Sequence, residues 1–306
     1  MFTRSIIEKL KHWSSRGDKN KPLVLRGARQ VGKTTLVKIF SESYEKFIYL
    51  NLDIDKNKRL FDIHKDVQSL FEAICLQTKN IPIKGNTLLF IDEIQNSPEA
   101  VTILRYFYEE LSWLDVITAG SMLETLTGKR ISFPVGRVEY LPVRPCSFPE
   151  FLLATGDQKG FDLLREVPIP DYAHEYLLQQ FRTYALLGGM PEIIENFRNE
   201  QSIANLGPVY DGLVVSYLDD IEKYAQSPAM VEIIRHTITH SFDAAGSRIT
   251  LSRFGNSNYR NREMSEAFRT LEKAFLFQLV RPVTTTILPI TPNIRRSVKL
   301  QLVDTG

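Results

Sequence analysis

Pro22-Leu23-Val24-Leu25-Arg26-Gly27-Ala28-Arg29-Gln30-Val31-Gly32-Lys33-Thr34 is the stretch that decides how this chain folds. Residues 22–26 form an apolar run of strand length. Residues 27–34 then satisfy the phosphate-loop spacing GxxxxGK[ST], and helical periodicity follows over 34–41. Strand, glycine loop and helix in that order are the context the spacing requires. The chemistry is anion binding. Backbone N–H groups of Gly27, Ala28, Arg29, Gln30, Val31 and Gly32, with the positive end of the next helix, surround phosphate oxygens. Lys33 adds a mobile charge for β- and γ-phosphates, and the Thr34 hydroxyl suits Mg²⁺, with Thr35 in the same helical turn.

Outward from this loop, four more runs of strand length lie at 47–52, 87–91, 115–119 and 138–143. Most are continuously apolar, the pattern of strands buried on both faces of a parallel sheet. Helical stretches such as 99–111 lie between them, which predicts an α/β domain with right-handed crossovers. Leu88-Leu89-Phe90-Ile91-Asp92-Glu93 ends in two carboxylates. A carboxylate at the C-terminal edge of such a sheet suits a contact to hydrated Mg²⁺, the role predicted for Asp92. Glu93 is then the predicted general base for the attacking water. The run 116–119 leads into Gly120-Ser121, so Ser121, with Thr118 in reserve, is either a γ-phosphate sensor or a helix cap. Arg137 either stabilises developing phosphate charge through its planar guanidinium or is an ordinary surface arginine.

Composition narrows the remaining choices. In 306 residues, 38 Lys+Arg stand against 36 Asp+Glu, a net charge of +2, so the whole chain lacks the charge of a nucleic-acid coat. Cys75 and Cys146 have neither disulfide-framework nor zinc spacing. No apolar run reaches bilayer length, and the first residues lack a secretory hydrophobic region, so the expectation is a cytoplasmic protein without a membrane partner. A guanine-reading Asn-Lys-x-Asp fails at Asn57-Lys58-Arg59-Leu60, which favours ATP. His236 and His240 lack the glutamate of a zinc-protease helix and read as solvated.

Past residue 145 helical patterns take over, at 148–153 and 172–187, up to Gly188-Gly189-Met190-Pro191. From about residue 203, helices at 214–224, 231–241 and 265–273 are followed by strand-like 275–280 and 298–303, the order of a winged helix. From residue 244 onward the charge balance is +6. Arg248, Arg253, Arg260 and Arg262, with Phe254 and Tyr259, are candidates for DNA contact; solvated surface and protein docking are equally open.

The segments GARQVGKT, LLFIDEIQ, ITAGS, FPVGRVEYLPVRPCSFPEFL and YALLGGMPE closely resemble prokaryotic AAA-fold ATPases that carry a C-terminal domain of unknown function. The resemblance implies a phosphate-loop fold of additional-strand type, with the Ser121 strand between the phosphate-loop strand and the Asp92 strand. It implies a helical lid and a winged-helix-like region. By the same resemblance Arg137 is the arginine finger, and Pro191, in Gly189-Met190-Pro191, either touches the nucleotide or stops a helix. The family continues into a nuclease-like fold, whereas this sequence stops at an apolar strand and a turn, the expectation being a truncated chain without nuclease residues. The expected divisions are an N-terminal helix and turn (1–20), an ATPase domain (21–145), a lid (146–202) and a winged-helix-like region (203–306). The expected function is Mg²⁺-dependent ATP hydrolysis coupled to the C-terminal region, in a chain that either acts alone or assembles with copies of itself. The alternative is a nucleotide-switched module that binds DNA or protein with little turnover.

Overall fold

A computed structural model describes residues 4–17, 20–120, 133–200, 202–225 and 227–304, with residues 221–224 described by their backbone alone. The chain divides into two compact units, Met1–Arg144 and Pro145–Gly306.

The first unit is a five-stranded, all-parallel sheet covered by helices on both faces. Its elements run α1 (Ile6–Ser14), β1 (Leu23–Arg26), α2 (Lys33–Ser41), β2 (Lys46–Asn51), α3 (Asp55–Ile63), α4 (Val67–Thr78), β3 (Thr87–Asp92), α5 (Pro98–Glu110), β4 (Asp115–Gly120) and β5 (Glu139–Pro142). The strand order is β2-β3-β4-β1-β5. β4 therefore separates β1 from β3, pairing Val24 with Thr118 on one side and Ile91 with Thr118 on the other. This is the additional-strand arrangement expected from the resemblance.

β3 is buried at all six positions, which accounts for its unbroken apolar sequence. One set of alternate strand residues, Val24, Ile48, Leu50, Leu89, Ile91 and Val116, packs under α3, α4 and α5. Leu25, Phe90, Ile117 and Ala119 are buried toward the other side, where α2 meets the sheet. Caps start the helices: Asp66 accepts the Ser69 amide before α4, and Ser97 accepts the Ala100 amide before α5. In α5, Leu104 and Phe107 are buried and Tyr106 is exposed, the amphipathic split that the periodicity indicates.

Helix α1 packs on α2 within the first unit, whereas the sequence reading sets residues 1–20 apart. The physical reason is burial. Ile6, Ile7, Leu10 and Trp13 are all buried, and the Trp13 indole donates to the Lys21 carbonyl.

The second unit holds α6 (Phe148–Ala154), α7 (Gln158–Leu164), α8 (Asp171–Leu187), α9 (Pro191–Glu200), α10 (Gly207–Tyr224), α11 (Pro228–Ala244), β6 (Arg248–Ile249), α12 (Asn261–Lys273), β7 (Phe277–Val280) and β8 (Val298–Leu302). Its small sheet is antiparallel in the order β6-β8-β7. Met264, Phe268 and Leu271 of α12 join Ile234 and Ile238 of α11, Phe277 and Leu300 in one core. At the α8–α9 turn, a side chain on Gly189 would meet the Cys146 carbonyl at 2.3 Å. The Gly189 amide donates to Asp304 Oδ1 at 2.6 Å.

The histidines read as solvated are half-buried. Their ring centroids lie 4.3 Å apart, and His236 Nε2 lies 3.0 Å from the Phe254 carbonyl oxygen. Both rings lie beneath Gly255, where any side chain would collide with them.

Candidate functional site

Three parallel strands deliver the candidate residues to one edge. β1 ends at Arg26 and turns into the glycine loop; β3 ends at Asp92, and β4 carries Thr118 beside it. The loop is specified by close approach. A Cβ on Gly27 would lie 2.1 Å from the Val143 carbonyl oxygen, because Val143 donates its amide to Arg26 at 2.6 Å just before the loop. Gly32, at φ +87°, caps α2 in the left-handed region that favours glycine. Gln30 also takes a positive φ of 62°, and Val31 is fully buried, anchoring the apex. The first turn of α2, with Thr34 and Thr35, has amides that no helical carbonyl reaches.

Lys33 is buried, and its ammonium donates to the carbonyls of Gly27 at 2.9 Å and Ala28 at 2.7 Å. Thr34 donates its hydroxyl to Asp92 Oδ2 at 2.7 Å. That bond joins the loop helix to the acidic strand end. Asp92, itself buried, also accepts from the Tyr49 hydroxyl at 3.3 Å and from the Glu93 amide at 3.1 Å. Burial and the neighbouring Asp92 carboxylate push the Tyr49 phenol up to about 12, so it stays a donor. Glu93 sits at φ +52° and accepts from the Gln95 amide. Burial, the leading cause, raises its carboxyl above the ordinary range, with Asp92 and Asp53 adding to the rise; the Gln95 hydrogen bond and the Lys33 charge oppose it. Glu93 thus lies within electrostatic reach of Lys33.

Lys33, Thr34, Asp92 and Glu93 converge as the sequence predicts. Arg137 does not join them. It precedes β5, whose Glu139 pairs with Leu23 at the start of β1. The four-residue strand separates it from the loop edge by roughly 13 Å at a rise of about 3.3 Å per residue. Its guanidinium is tied to Glu109 Oε1 at 2.8 Å. Ser121 lies outside the described residues. Pro191 begins α9 in the second unit.

Three neighbours escape sequence reasoning. Arg4 donates to the carbonyls of Val31 at 3.3 Å and Arg144 at 2.7 Å, bracing the loop apex. Tyr49 and Gln95 support the two carboxylates. Arg4 and Tyr49 are distant in sequence from the groups they hold and belong to no motif. Gln95 was legible only as the fourth residue of Asp92-Glu93-Ile94-Gln95.

The residues fit a magnesium nucleotide. Thr34 and Asp92 supply the hard oxygen pair that Mg²⁺ selects, and the neighbouring Thr118 hydroxyl is fully buried without a hydrogen-bond partner among the described residues. Residues 19–152 match the family described as AAA domain. Residues 178–306 match a Domain of unknown function (DUF8612). The motif, the strand order and the match agree that residues 19–152 form a phosphate-loop domain similar to the AAA family. A Walker-type ATPase of Pyrococcus abyssi is 17% identical and superposes with a TM-score of 0.56, covering 100% of this chain and 94% of that one, which establishes a shared fold. The Aeropyrum pernix ORC1 protein in complex with DNA aligns at 14% identity and a TM-score of 0.37, over 97% of this chain and 87% of that one. The Thermotoga maritima RuvB Holliday junction branch migration motor aligns at 16% and 0.39, over 96% and 93%. No curated protein matches the chain.

Proposed function

We propose that this protein is a Mg²⁺-dependent ATPase that couples its nucleotide state to the C-terminal region. The observation that carries the reading is the Thr34–Asp92 hydrogen bond, which sets the phosphate loop and the acidic strand end at one site. Thr34 and Asp92 would hold Mg²⁺, which when bound neutralises charge on the β- and γ-phosphates. Lys33 exchanges its carbonyl partners for phosphate oxygens. Glu93 takes the proton of a water attacking the γ-phosphorus as the bond to the β-phosphate oxygen breaks, leaving ADP and phosphate. Burial makes Glu93 a stronger base than an exposed carboxylate, and Gln95 orients it.

Arg137 serves as a finger across a subunit boundary rather than within one chain, since the strand directions set it away from its own loop. This makes a homo-oligomer part of the proposal, as is a cytoplasmic location. No described helix is long and apolar enough to cross a membrane.

The test is a pair of substitutions. Lys33→Ala should abolish Mg·ATP binding. Glu93→Gln should keep binding and lower turnover by about 10²-fold or more, within the range for a lost general base. ATP binding by Lys33→Ala at parental affinity would sink the site, and unchanged turnover in Glu93→Gln would remove the base.

A second reading has its own support. Arg248, Arg253, Arg260 and Arg262 are exposed, and α11, α12 and the β6-β8-β7 sheet follow the order of a winged helix. On this reading the chain is a nucleotide-switched module that binds DNA, or a protein in its place. Phosphate release measured with and without DNA separates the two.

A further inference from the structure

In the second unit the sheet is divided sharply by face. Ile249, Phe277 and Leu300 point into the core, while Arg248, Lys299, Gln278 and Gln301 are exposed on the other side. Register sets two of these charges against each other: Arg248 pairs directly with Lys299 across the antiparallel ladder. Like charges directly opposite on one sheet face cost stability, and among the described residues no acid pairs with either. From residue 275 to 303 there are four basic residues and no acidic one.

The same strands project a hairpin. Residues 281–297 leave β7 and return to β8, closed by the Val283–Pro292 bridge and by the Asn293 amide donating to the Pro282 carbonyl at 2.7 Å. At its base stand Arg281, Arg295 and Arg296, all exposed. Among the described residues, the side chains of Arg248, Arg281, Arg295, Arg296 and Lys299 form no ion pair or hydrogen bond. At the hairpin tip Ile287 is 75% and Leu288 81% exposed. Apolar side chains on a protruding arm, ringed by unpaired guanidinium groups, suit a polyanion that also offers an apolar interior.

We propose that the open face of the β6-β8-β7 sheet and the 281–297 hairpin grip duplex nucleic acid, the arginines on phosphates and the apolar tip in a groove. This deepens the DNA reading above and rests on it, adding Lys299 and the 281–297 hairpin to the four arginines that motivated it. Duplex is favoured over an anionic membrane by the residue types. Guanidinium forks match phosphate oxygens in pairs. Thr284, Thr285 and Thr286 add exposed hydroxyls. The arm has none of the Trp or Tyr that anchor interfacial segments. Ile and Leu wedges between base steps are an established means of widening and bending a groove.

The experiment is fluorescence anisotropy of a labelled duplex titrated with the full chain at several salt concentrations. Each neutralised phosphate contributes about 0.9 to the slope of log affinity against log salt. R281A/R295A/R296A should therefore flatten the slope by about 2–3, and I287S/L288S should weaken binding with the slope unchanged. Thermal melting checks that each variant folds. Should the triple variant melt early, K299Q repeats the test with an expected slope change of about 1. If the parent fails to bind duplex at low salt, the DNA reading and this surface fall together. If R253A/R260A weakens binding while the hairpin variants match the parent in affinity and slope, this surface alone is overturned. Preferential binding to phosphatidylserine vesicles overturns it in favour of a membrane.

Discussion

Gly27 shows how a single position can be fixed twice. The phosphate-loop spacing asks for glycine there, and the fold asks again, because the Val143 carbonyl occupies the space of a side chain. Neither β5 nor the loop end can yield without breaking the Val143–Arg26 hydrogen bond. Gly27→Ala should cost about 1–3 kcal/mol, the range for overpacking, and should weaken nucleotide binding together with stability. Chemical denaturation with and without Mg·ATP reads both. A variant as stable as the parent, yet unable to bind, would assign Gly27 to the ligand alone. Asp92 is supported from several sides: Thr34, Tyr49 and its own successor's amide all donate to it. Of these residues, Thr34 and Glu93 were named from the sequence, whereas Tyr49 was not.

Among the elements, the central strands of the first unit were readable because burial on both faces leaves their apolar runs nearly unbroken; β3 is the clearest case, while the edge strands β2 and β5 are partly exposed. Helices were expected between the strands, but the ranges of α3 and α4 were not drawn, and α3 offers little to draw one from. Residues 55–63 bury only Leu60 and Phe61, too few to impose a visible period. The two-residue strand β6 is likewise too short for alternation to register. The loop, Asp92 and Glu93 were legible because their spacing is local, whereas Arg4 reaches the loop from 27 residues away. Element directions also decide how Arg137 is read. The Arg137 and Arg105 side chains at α5 hold the Glu109 carboxyl below its ordinary range. A lowered carboxyl in the folded state contributes stability above its unfolded value and loses it as pH falls through the folded one. The bridge is therefore intact at neutral pH. In Arg137→Gln, Glu109 should titrate at higher pH, nearer the ordinary carboxylate range, measured by carboxyl-carbon NMR; an unmoved titration would show that Arg105 alone sets it.

For the molecule as a whole, the proposed role of Arg137 as a finger between subunits would make turnover a property of an assembly. Arg137→Ala and Glu93→Gln should each be inactive alone. Mixed, they should regain activity, since some interfaces then pair an intact Arg137 from one subunit with an intact Glu93 in the other. A mixture as inactive as its components, in particles that light scattering shows to be mixed, would place Arg137 outside catalysis. Particle mass should also rise with a non-hydrolysable ATP analogue.

The Asp304 contact to the Gly189 amide joins residues 115 positions apart. Loop closure over such a distance has to await most of the chain. During synthesis, the bend between α8 and α9 would emerge long before its latch. Until Asp304 is made, that amide lacks its native acceptor, so the bend can be latched only once residue 304 has emerged.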